Sequence, residues 1–121
     1  MVETAVALCY EHPSTRFAFV YTTGRSAREI QDMTNGVEEV ASTYGNQLGK
    51  VDVLPINEPN HSERKALVVL PRAVVERSVL ESLIKGLFKG KAAQVNFAWT
   101  ADAKKVGVAL EILKEILNAQ A

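Results

Sequence analysis

The sequence predicts an α+β fold, a two-layer sandwich formed by one domain over residues 1–121. Three observations point to it. Five short stretches alternate between β-favouring residues on opposite faces. Three longer stretches repeat apolar residues every three or four positions, as a helix with one buried side requires. Hydrophobic residues make up 47% of the chain with no long polar tract, so a core forms without disulfide or metal support.

Residues 2–10 alternate as a strand, and Glu11-His12-Pro13-Ser14-Thr15 supplies turn chemistry before the apolar run 17–21. These elements predict a hairpin. Thr23-Gly24-Arg25 breaks the second strand, and Ser26-Ala27-Arg28-Glu29 has the capping-box spacing, in which Ser26 and Glu29 satisfy free N–H groups at a helix start. Helix one follows, with the stripe Ile30, Met33, Val37, Val40, Ala41 and Tyr44 and a stop at Gly45-Asn46; Gly36 weakens its middle. Residues 50–56 alternate again, with Pro55 marking an edge strand. Residues 57–64 are a polar loop ahead of a strand at 66–70. Helix two is expected over 73–89 through Val75, Val79, Leu80, Leu83, Ile84 and Leu87, ended by Gly90. After a strand at 94–99, Thr100 is expected to cap a last helix carrying Val106, Leu110, Leu113 and Leu117, with Ala109, Ile112 and Ile116 widening its apolar face.

The order is β-β-α-β-β-α-β-α. Its middle six elements, about 16–99, have the βαββαβ order of a ferredoxin-like core, with an extra N-terminal strand and an extra C-terminal helix. Ser14-x-Arg16-x-Ala18-x-Val20 is echoed by Ser62-x-Arg64-x-Ala66-x-Val68, as two related halves would give.

The strand at 17–21 is apolar on both faces, Phe17, Phe19 and Tyr21 on one and Ala18 and Val20 on the other. The strand at 66–70 repeats this, with Leu67 and Val69 placed beside the aromatic row. Helices one and two cover only one side of such a sheet. The other side is expected to be covered by the C-terminal helix, next by a second copy of the chain, and last by a ligand or nucleic acid. Base stacking as in an RNA-recognition sheet would need aromatics on both central strands, and the second offers only Lys65, Leu67 and Val69.

Candidate sites are few. The turn Thr23-Gly24-Arg25-Ser26, the loop bearing His61 and Arg64, and Lys89 and Lys91 are expected at one sheet edge, where cations and a helix N-terminus would suit phosphate or carboxylate. Glu58 and Glu63 stand ready to neutralise those cations. His12 and His61 fall in loops at opposite ends of the sheet, and no H-x-x-x-H or C-x-x-C occurs, so no metal and no cofactor are predicted. His61-Ser62-Glu63 holds triad residue types, but sequence neighbours do not converge as a triad must. The single Cys9 reads as a small core residue. Arg77, Lys85, Lys89 and Lys91 give helix two a basic stripe interrupted by Glu76 and Glu81.

With 14 basic and 14 acidic residues the net charge is zero, which argues against non-specific coating of nucleic acid or anionic membrane. The N-terminus lacks a basic start and an apolar leader, so a cytoplasmic chain is expected, and no run reaches the ~20 apolar residues of a bilayer span. These features predict a small non-catalytic binding or assembly module that self-associates through an apolar sheet face or its C-terminal helix, the interface drawn from Phe17, Phe19, Tyr21, Leu67, Val69, Ile112 and Ile116. A homo-oligomer, with room for another protein partner, is its expected state. Two alternatives are an enzyme or sensor for a small anionic ligand at Gly24–Ser26, and a weak nucleic-acid-binding protein.

Overall fold

A computed structural model describes residues 3–23, 27–56, 64–88 and 93–119. The chain forms β1 (Glu3–His12), β2 (Thr15–Thr23), α1 (Ala27–Ser42), a 3-10 turn (Gly45–Leu48), β3 (Val51–Ile56), β4 (Arg64–Pro71), α2 (Arg77–Gly86), β5 (Ala93–Thr100) and α3 (Ala103–Ala119). It is an α+β molecule with a five-stranded mixed sheet, in the order β3-β4-β2-β1-β5.

The predicted element order holds, but the ferredoxin-like strand order does not. That arrangement would set β5 directly against β2. Instead β1 lies between them, antiparallel to β2 and parallel to β5. The reason is local: the tight connection between β1 and β2 pairs those strands with His12 opposite Thr15, and β5 must then add to the far side of β1. Both rows of β1 suit an interior strand. Ala5, Ala7 and Cys9 are buried on one face, and Val6, Leu8 and Tyr10 occupy the other.

Each sheet face has its own core. On one, Ala5, Ala7, Cys9, Ala18, Val20, Leu67 and Val69 pack under α1 and α2 through Met33, Val37, Leu80, Leu83, Ile84 and Leu87. On the other, Phe17, Phe19, Val68 and Leu70 pack under α3 through Ala109 and Leu113. Leu67 and Val69 are therefore not beside the aromatic row. The register sets Phe19 directly opposite Val68, so Val68 and Leu70 share the face of Phe17 and Phe19. The echo between the halves fails similarly, because Val20 faces α1 and α2 whereas Val68 faces α3.

Two helix starts also differ from expectation. Residues 73–76 are not helical: the N–H groups of Arg72 and Ala73 donate to the carbonyls of Lys50 and Leu48 at 2.9 and 3.0 Å, holding this stretch to the chain entering β3. The α3 cap is Asp102 rather than Thr100, its Oδ1 accepting from the N–H groups of Lys104 and Lys105 at 3.0 and 3.1 Å. Ser26 of the expected capping box lies outside the described residues.

α1 and α2 touch where both lack a side chain. A Cβ built on Gly86 would stand 2.9 Å from the carbonyl oxygen of Gly36 and 2.8 Å from Val40 Cγ2. Gly36 is thus where α2 leans on α1. Among the described residues, no helix is long and apolar enough to cross a membrane.

Candidate functional site

Of the anion-site residues, Gly24, Arg25, Ser26, His61, Lys89 and Lys91 lie outside the described residues. Thr23 and Arg64 are described in their backbone, and the register pairs them at one end of the sheet. The aromatic row is inside the chain. Phe17 is fully buried and Phe19 nearly so, with the Tyr10 ring stacked on Phe17 at 5.2 Å and edge-on to Phe19 at 5.5 Å. Ile116 is half-buried against this cluster, whereas Ile112 points outward and is 43% exposed. Tyr21 is half-buried at the margin.

A polar cluster that sequence reasoning missed lies at the opposite end of the sheet, on the α1/α2 side. Glu11 and Arg16 face each other across the β1–β2 pair, and Arg16 Nε donates to Glu11 Oε2 at 3.0 Å. Arg16 also donates to the carbonyl of Val75, just before α2. Arg77, the first residue of α2, donates to both oxygens of Glu11, from Nε at 3.1 Å and from its terminal nitrogen at 2.5 Å. Its guanidinium also lies 5.0 Å from the centre of the Trp99 ring. One turn along α2, Glu81 accepts from Trp99 Nε1–H at 3.0 Å. A turn further, Lys85 stands 5.8 Å from the Phe97 ring.

This arrangement ties the hairpin, α2 and the outer strand together. Arg77 is committed to Glu11 and Trp99, so it does not contribute to the basic stripe read from the sequence. For the pairing of Glu11 with Arg16 the sequence holds a signal that went unused, two opposite charges flanking a tight turn. The roles of Arg77, Glu81 and Trp99 were not legible, because they depend on β5 lying beside β1.

Hydrogen bonds from Arg77, and then from Arg16, hold the Glu11 carboxyl below its usual range against a smaller opposing effect of desolvation. A carboxylate so held is a poor general acid or base at neutral pH. Its folded value lies below the unfolded one, so its stabilising contribution is present above about pH 4.5 and is lost as pH falls through the lowered folded value. We expect Glu11→Gln to melt below the native chain at pH 6 and the two to converge towards pH 3. Equal separation of the melting curves at both pH values would refute this linkage.

Cys9 lies beneath the cluster, fully buried, and its thiol donates weakly to the Ala7 carbonyl at 3.8 Å. Burial, aided by the charge of Glu81, pushes it up to about 12, so it stays protonated and unreactive as a nucleophile. His12 Nδ1 accepts from the Ser14 N–H at 3.2 Å and lies 2.8 Å from the Ser14 hydroxyl, closing the hairpin turn. Among the described residues, no group of three or more His, Cys, Asp and Glu is placed to hold a metal ion.

At the other edge of the sheet, Asp52 of β3 has its carboxylate largely buried. It is paired with Arg72, with Lys50 Nζ at 3.7 Å. This is a clamp between β3 and the end of β4, and it puts a charge on that edge. Comparison with protein-family models, curated proteins and solved structures finds no match for the chain.

Proposed function

We propose that this chain is a small non-catalytic binding and assembly module that self-associates. Because α3 covers Phe17 and Phe19, the sheet face expected to mediate contact is occupied from within the chain. Val6 stays 40% exposed on that face, and further apolar surface lies elsewhere. Val108 and Ile112 form a short stripe on the outer side of α3, 60% and 43% exposed. Val95, Phe97 and Trp99 form a half-exposed row along β5.

The observation that carries the reading is the outer side of β5. Among the described residues no strand pairs with it, so its backbone donors and acceptors are open to a partner. The composition of the two edges reinforces this. β3 is blunted by Pro55 and Asp52, whereas β5, Ala-Gln-Val-Asn-Phe-Ala-Trp-Thr, contains neither proline nor charge.

Light scattering after size exclusion, over on the order of 10–100 micromolar, tests the reading. We expect a concentration-dependent rise above the monomer mass of 13.2 kDa. A constant monomer mass across that range removes self-association as the function.

A further inference from the structure

We infer that β5 pairs antiparallel with β5 of a second copy about a two-fold axis through Ala98, joining two five-stranded sheets into one of ten strands. The inference rests on the self-association proposed above and specifies its surface and register.

A two-fold axis sets every residue near it against its own copy, so any charge there is opposed by a like charge. β5 carries none over eight residues. With the axis normal to the sheet, the row Val95, Phe97 and Trp99 of one copy must continue into the same row of the other, which admits only registers centred on a residue. Centring on Phe97 would bring Lys85, which lies over that ring, towards its own copy. Centring on Asn96 sets Phe97 against the partner's Val95 and Trp99 against the partner's Ala93, so no two aromatic rings meet.

Centring on Ala98 sets Trp99 against the partner's Phe97, an aromatic cross-strand pair. It also brings Glu81, held at Trp99, towards the partner's Lys85, held at Phe97, so that opposite charges meet twice across the axis. On the opposite face the smallest side chain of the exposed row, Ala98, lies on the axis, and Asn96 faces the partner's Thr100. Asn96 and Ala98 are exposed there because α3 packs over Phe17, Phe19, Val68 and Leu70 and leaves β5 uncovered on that face.

The test uses Ala98→Lys and Ala98→Asp, at an exposed position whose replacement leaves the monomer core untouched. Each variant alone is expected to weaken dimerisation at least about tenfold, and an equimolar mixture to restore it, since the axis then joins opposite charges. Fluorescence gives a second readout. Trp99 is the only tryptophan in the sequence, and its emission should shift to the blue as concentration rises in the native chain, and not in either variant alone. If the native chain dimerises and Ala98→Lys dimerises equally well, the β5 register is wrong while self-association stands, with α3's outer stripe as the next surface. If the native chain stays monomeric, both are overturned, and a strand from a different protein becomes the occupant to seek.

Discussion

Phe17→Ala is expected to lower the free energy of unfolding by about 3–5 kcal/mol. Phe17 is fully buried, stacked on Tyr10 and edge-on to Phe19 at 5.6 Å, and α3 closes over this cluster through Ala109 and Leu113. Truncation removes a ring from a site bounded by strand backbone below and a helix above, which collapses only partly. For a domain whose total stability is about 5–15 kcal/mol, such a loss nears the limit of folding. Phe17→Leu therefore accompanies it, with an expected cost nearer 1 kcal/mol because most of the volume is kept. Urea unfolding followed by far-ultraviolet circular dichroism measures both. Ile112→Ala, on the outer side of α3, should change stability by less than about 0.5 kcal/mol. A Phe17→Ala loss as small as that of Ile112→Ala would mean that the aromatic row is wet and α3 does not cover it.

Gly86→Ala is the second change with a large expected effect, and its sign decides the matter. Alanine is favoured over glycine in a helix by about 0.8–1 kcal/mol, so propensity alone predicts stabilisation. The added methyl would stand 2.9 Å from the Gly36 carbonyl oxygen, a backbone atom that moves only if α1 moves. Overpacking of this kind costs about 1–3 kcal/mol. The net expectation is destabilisation, read as a lower thermal midpoint. Gly107→Ala is the control. It lies within α3 with nothing within 4 Å of a built Cβ, so it should be stabilised by about 0.5–1 kcal/mol. If both substitutions stabilise, the two helices do not meet at Gly36 and Gly86.

Elements dominated by local chemistry were legible in the sequence. The β1–β2 hairpin follows from the turn residues around Pro13, and α1 ends at Ser42, shortly before Gly45, whose φ of 63° is one that glycine adopts without strain. The apolar stripes of α1 and α2 supply Met33, Val37, Leu80, Leu83 and Ile84 to the core as their spacing required. The place of β1 was not read, because a strand order is a decision among distant partners. A signal existed all the same: Ala5, Ala7 and Cys9 alternate with Val6, Leu8 and Tyr10, so neither row is polar, which fits a strand with neighbours on both sides better than one at an edge.

The face shared by Phe17 and Phe19 was misassigned on β4 for a related reason. Alternation identifies two rows on each strand but not which rows coincide; only the register, Phe19 against Val68, settles that. The Glu11–Arg77–Trp99 cluster required both β5 beside β1 and α2 across them, so none of its members stood out by spacing.

The parallel ladder between β1 and β5 also governs how the molecule is assembled. From Glu3 with Ala93 to Tyr10 with Thr100, residues of β1 pair with the ones 90 positions further on. On a ribosome β1 therefore emerges long before its outer neighbour exists, and until β5 is made its open side is a template for any passing chain. Closing so large a loop is slow relative to a hairpin. Nascent copies are thus exposed to mispairing at β1 for as long as those 90 residues take to be made.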